Sequence, residues 1–127
     1  MNFITVKTYE ELSAKAAEIL SAQVTMKPNC VLGLATGSSP VGAYKKMIAK
    51  CAAGEVDFSK VSSINLDEYV GLDGTNDQSY RYFMNTNLFD HINIDKNNTR
   101  VPSGVSSDLA AECKAYDAHI EEMGGID

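Results

Sequence analysis

Two short stretches carry the residue types that could do chemistry. In LGLATGSSPVGAYKKM, Leu32 to Met47, an apolar run passes into Thr36-Gly37-Ser38-Ser39, then Pro40, then a helical pattern. Gly37 lets backbone approach a ligand closely. Ser39 is a candidate N-cap, and Pro40 suits the first helical position, where its missing N–H costs nothing. Amides left free at a helix start, backed by the helix dipole, favour an anion, and the hydroxyls of Thr36, Ser38 and Ser39 add donors. The same letters also describe an ordinary capped turn. They lack the Lys of a Walker A loop and the full GxGxxG of a dinucleotide fold.

The second stretch is INLDEYVGLDG, Ile64 to Gly74. Asp67 and Glu68 end an expected inner strand, on the same sheet edge as the first loop. A carboxylate held there, partly shielded from water, could act as a general base with its pKa tuned by burial and neighbouring charge. An Asp that merely terminates a strand and caps a turn reads the same way. His91, in FDHIN, falls at a helix end and is read as structural, and His119 as solvated on the polar side of the last helix. The aromatics of SYRYFMNTNLF are read as core, with Arg81 free to reach an anionic ligand.

Alternating elements must position these residues. Asn2 to Lys7 is a strand candidate, followed by Thr8-Tyr-Glu-Glu11 in capping-box form. The helix it opens places Leu12, Ala16, Ile19, Leu20 and Val24 on one stripe and ends near Pro28. Cys30 to Ala35 is a nearly continuous apolar run, as expected of a strand buried on both faces. Val41, Tyr44, Ile48 and Cys51 then recur at helical spacing, closed by Gly54. Val61 to Leu66 predicts a strand, Gly71 to Gln78 a loop, and Ser79 to Ile92 a helix with Tyr82, Phe89 and Ile92 inward. Asn93 to Pro102 holds a short strand at best. Leu109, Cys113, Tyr116, Ile120 and Met123 mark a final helix, entered at Ser106-Ser107-Asp108 and ended by Gly124-Gly125.

Strands alternating with helices predict an α/β fold, with residues 1–127 as part of a single domain built on a parallel Rossmann-like open sheet with helices on both faces. Ile126-Asp127 would begin a next strand, so the sheet is expected to be truncated there.

Composition excludes several classes. The chain has 127 residues, 44% hydrophobic and 22% charged, which suits an ordinary globular protein. A net charge of −6 without a dense Lys/Arg stripe argues against nucleic-acid and membrane-surface partners. The start MNFITVKTYEEL is no signal peptide, and a cytoplasmic location is expected. Cys30, Cys51 and Cys113 form no CxxC pair; they read as buried free thiols, with no metal site.

Taken together and in colinear order, the two stretches, with SY-x-x-FM following DEYVGL, resemble the glucosamine-6-phosphate deaminases, in their N-terminal half. In that family a T-G-[GS]-[ST]-P loop grips the sugar phosphate, which implies phosphate binding by Thr36, Gly37, Ser38 and Ser39. The Asp of DEYVGL carries the proton of the aldose–ketose step, which implies a catalytic role for Asp67. The implied activity converts D-glucosamine 6-phosphate and water to D-fructose 6-phosphate and ammonia in amino-sugar catabolism. That would make the chain part of a hydrolase needing neither metal nor organic cofactor, with a small sugar phosphate as its partner and a homo-oligomeric state.

The related 6-phosphogluconolactonases share the fold and the loop but carry a DER-type sequence at Asp67-Glu68-Tyr69, so they rank second. A non-catalytic phosphosugar sensor is the rival from another class, although no helix-turn-helix accompanies these residues. The family's ring-opening His segment has no counterpart here, and neither His91 nor His119 fits it. These residues alone are therefore expected to be inactive or nearly so.

Overall fold

Thr8 opens the first helix as the capping pattern requires. Its Oγ1 accepts the Glu11 N–H at 3.1 Å, while the Glu11 carboxylate accepts the Lys7 N–H at 2.8 Å, one residue earlier than the standard capping box. The computed structural model describes residues 3–127. Their order is α1 (Tyr9–Met26), β1 (Val31–Leu34), α2 (Val41–Ala52), β2 (Ser62–Asn65), α3 (Tyr80–Asn87), β3 (Thr99–Arg100) and α4 (Leu109–Glu122). Single 3₁₀ turns occupy Phe89–His91 and Lys96–Asn98.

The strands form one parallel sheet in the order β1-β2-β3. Val31 to Leu34 align with Ser62 to Asn65, and Ser63 and Ile64 with Thr99 and Arg100. This is the parallel Rossmann-like α/β arrangement that the alternation predicts, with β3 as the short strand anticipated within Asn93 to Pro102. Cys30, Leu32 and Leu34 alternate into a core shared with Tyr44 and Met47 of α2, Met84 of α3, and Phe58 and Phe89 from the connections.

Several expectations are corrected. Asn2 lies outside the described residues, and residues 3–6 form no strand; Phe3 is 86% exposed, because nothing among the described residues pairs with it. On α1 the buried face is Ser13, Ala17, Ser21 and Val24, whereas Leu12 and Ile19 of the predicted stripe are exposed. Small residues win there because α1 lies close against α2 around Gly42. The third helix ends at Asn87, since Leu88 leaves helical dihedrals at φ −143°. Tyr82 is exposed, contrary to expectation, while Phe89 is buried as expected. The α4 stripe forms on schedule yet buries none of its residues, so Cys113 is exposed; Cys30 is buried and Cys51 half-buried.

Tyr44 is 1% exposed, and its hydroxyl donates to the Ala35 carbonyl at 2.5 Å. Burial pushes its phenol up to about 12 from 10.0, so the folded chain holds this proton more tightly than the unfolded chain does. The resulting stability is complete below the unfolded value and is lost as pH rises through the folded one. Urea midpoints should therefore hold steady up to about pH 10 and fall between about pH 10 and 12, with Tyr44→Phe flattening part of that fall.

Candidate functional site

The register fixes the site before any side chain is considered. Leu34 pairs with Asn65, so Thr36 and Asp67 stand at matching positions two residues beyond the carboxyl ends of β1 and β2. Neighbouring strands lie about 4.8 Å apart, and the crevice beyond such ends is where ligands bind in open parallel sheets. A pocket of about 480 Å³ lies at this edge, lined by Gly33, Leu34, Ala35, Thr36, Leu66, Asp67 and Ile126. Thr36 and Asp67 are thus brought together. Gly37, Ser38 and Ser39 are exposed beside the pocket and are not part of its lining.

Three side chains hold the strand exits in place by donating to carbonyls that leave the ladder. Asn65 Nδ2 reaches the Leu34 carbonyl at 2.8 Å, tying the end of β2 to the end of β1. Tyr44 takes the Ala35 carbonyl, and the Tyr116 hydroxyl takes that of Asn65 at 2.6 Å, with Arg100 O at 3.0 Å. Unpaired carbonyls here would cost free energy, so these donors set where the two loops leave the sheet. Sequence reading missed all three roles: Tyr44 and Tyr116 were legible only as apolar stripe members.

The loop after β1 departs from expectation at its far end. Helix α2 is capped at Pro40 without a side-chain hydrogen bond, so Ser39 is not the N-cap. The Tyr9 hydroxyl takes over: it accepts the Gly42 N–H at 2.9 Å and donates toward the Ser38 and Ser39 carbonyls, each at 3.0 Å. One of the amides expected to meet an anion is therefore already engaged. The amides of Gly37, Ser38 and Ser39 have no protein acceptor among the described residues. Gly37 has φ +91°, a left-handed conformation that non-glycine residues seldom adopt. Successive free amides around such a residue form an anion-binding concavity.

The loop after β2 presents Asp67 at the open rim. It is exposed, not partly shielded, because it stands beyond the strand end next to Leu66, itself 77% exposed. Tyr69 and Tyr80 pack beside it, their ring centroids 4.7 Å apart and the Tyr80 hydroxyl donating to that of Tyr69 at 3.1 Å. That hydrogen bond raises the Tyr80 phenol above its ordinary range, reinforced by desolvation and the charges of Tyr69 and Asp67, with the nearby Thr36 acting in the opposite direction. Tyr80 thus joins Thr36 and Asp67 at one edge, a role its place in SYRYFM does not announce.

The remaining candidates are structural. Arg81 spends its guanidinium on Thr99, at 2.7 Å to Oγ1 and 2.9 Å to the carbonyl, instead of reaching a ligand. His91 Nε2 lies 2.8 Å from the Thr86 carbonyl, in keeping with a helix-end role. His119 is half-buried, not solvated, and accepts the Arg100 Nε–H at 3.0 Å. Among the described residues no His, Cys, Asp and Glu group could hold a metal ion, and no helix is long and apolar enough to cross a membrane.

Known proteins resemble this chain in sequence and fold. A glucosamine-6-phosphate deaminase of Clostridium perfringens is 61% identical over all 127 residues, which amount to 52% of the relative. A solved monomeric glucosamine-6-phosphate deaminase superposes with a TM-score of 0.97 at 38% identity, over 100% of this chain and 53% of that one. The 6-phosphogluconolactonase of Thermotoga maritima, at 17% identity and TM-score 0.73 over 94% of this chain and 53% of its own, shares the fold. The chain thus spans about half the length of the curated relatives it matches. The model of the family described as glucosamine-6-phosphate isomerases/6-phosphogluconolactonase matches residues 5–126, and the chain belongs to that family.

Proposed function

We propose that this chain, residues 1–127 being the N-terminal part of a single sugar-phosphate isomerase/deaminase domain, supplies the phosphate-binding loop and the proton-transferring carboxylate of a glucosamine-6-phosphate deaminase. The observation that carries the reading is the pocket shared by Thr36 and Asp67 at the carboxyl edge of adjacent parallel strands. The reaction is an aldose–ketose isomerisation with loss of ammonia: D-glucosamine 6-phosphate and water give D-fructose 6-phosphate and ammonia. Once the ring is open, a proton leaves C2 and is delivered to C1 through an enolamine, and water replaces the amine at C2.

Asp67 carries that proton. The sugar phosphate is anchored by the Thr36, Ser38 and Ser39 hydroxyls and by the amides of Gly37, Ser38 and Ser39, which have no protein acceptor. Anchoring one end of a short open chain brings both reacting carbons within reach of one carboxylate, where proximity accounts for much of the rate. Neither histidine lines this pocket: His91 lies against the Thr86 carbonyl and His119 against Arg100. A homo-oligomeric state and a cytoplasmic location belong to the same reading.

The experiment is an NMR titration of the chain with glucosamine 6-phosphate. Saturable shifts at the amides of Thr36 to Ser39 and at Asp67 are expected. A folded chain with no shift at either place, in the presence or absence of the relatives' second half, would remove the phosphate assignment.

A further inference from the structure

Among the described residues the Glu68 carboxylate forms no salt bridge, yet it is saturated with backbone donors. Oε1 accepts the N–H of Tyr69 at 2.9 Å and of Tyr80 at 2.8 Å, and Oε2 accepts that of Arg81 at 3.0 Å. Ser79 Oγ takes the Tyr82 N–H at 3.0 Å. The first three amides of α3 therefore all end on side chains, two of them on a residue from the β2 exit. A carboxylate at the positive end of a helix, bound through charge-assisted hydrogen bonds, is held firmly.

This is more than a local cap. The usual capping side chain comes from the helix's own first turn, and Ser79 already fills that place. Glu68 instead arrives from across the pocket rim, and its immediate neighbour is Asp67. Two of these hydrogen bonds, to the Tyr80 and Arg81 amides, tie the residue next to Asp67 to the start of α3. Tyr80 is fixed by the same clamp, its ring against Tyr69, its hydroxyl donating to that of Tyr69 and near enough to Asp67 to feel that charge.

We propose that Glu68 is a positioning residue: by joining the β2 exit to the start of α3 it sets the Asp67 carboxylate, and the Tyr80 hydroxyl beside it, for proton transfer. It makes no contact with substrate. The inference rests on the reading of Asp67 as the proton carrier.

The test uses a full-length chain that begins with these residues, with kcat expressed per folded molecule from circular dichroism. Substrate carrying deuterium at C2 reports the proton-transfer step directly. Glu68→Gln keeps the volume but turns an NH₂ toward a backbone N–H. It should lower kcat about 10–100-fold, the range a small misplacement of a catalytic group produces, leave KM near its original value, and raise the deuterium effect on kcat. Glu68→Asp keeps the charge but retracts it by one methylene, and is read in the same way should the Gln variant not fold. An unchanged kcat per folded molecule with an unchanged isotope effect, in whichever variant folds, overturns the inference. Asp67→Asn runs alongside: if it keeps turnover, the underlying reading of Asp67 has failed, and Glu68 has no base to position.

Discussion

Asp67→Asn is expected to lower turnover by about 10²–10⁴-fold and to spare phosphate binding. The change keeps the side chain's size and its place at the pocket rim, and removes only the capacity to take a proton. General-base catalysis by a positioned group contributes about 10²–10⁴-fold, and a loss of that size is expected in kcat for a full-length chain, measured as ammonia release. Binding should persist because the proposed phosphate ligands, Thr36 to Ser39, belong to a different loop with its own supports, Tyr9 and Tyr44. Competition by inorganic phosphate would report it. A variant retaining ammonia release within about tenfold of the parent would sink the assignment of Asp67, because so small a loss falls below what a general base supplies.

The second large effect falls on a residue with no chemistry. Gly104 is buried, and a Cβ placed on it would lie 2.0 Å from the Tyr69 carbonyl oxygen and 2.9 Å from that of Leu72. Both obstacles are backbone, so no rotamer change relieves them. The Gly104 carbonyl also accepts the Gly71 N–H at 2.7 Å, a bond that any relaxation would stretch. Overpacking of about 1–3 kcal/mol and a strained hydrogen bond of about 1 kcal/mol give a loss of roughly 3 kcal/mol for Gly104→Ala. Against a total stability of about 5–15 kcal/mol this is a large fraction, and it is read from urea midpoints. Gly37→Ala is the contrast. A Cβ there meets nothing within 4 Å, so only the φ of +91° opposes it, at about 1–2 kcal/mol. Equal losses for the two variants would show that the close approach at Gly104 is not what constrains it.

Strand and helix alternation, the short strand near Thr99 and the placement of Thr36 and Asp67 on one sheet edge were legible in the letters, because parallel α/β order and the strand-to-loop transition are local signals. What escaped was set by tertiary contact. The periodicity of α1 favours Leu12 and Ile19, but close packing against α2 selects the small face of Ser13, Ala17 and Ser21. Periodicity alone likewise marks a stripe on α4 without telling whether anything covers it. Tyr9 and Glu68 each act across more than ten residues of sequence, so no window on the chain could reveal that one caps α2 and the other α3. Arg81 looked available because an arginine's partner is invisible until the fold brings Thr99 beside it.

The donors that hold the strand exits carry a lesson about how this sequence can vary. At positions 44, 65 and 116 the side chain is selected by the hydrogen it offers at its tip as well as by the space it fills. Phenylalanine would match either tyrosine in shape and still leave a carbonyl facing nothing. Drift at these three places is therefore governed by donor chemistry, and a replacement judged conservative by size would be the wrong one to accept.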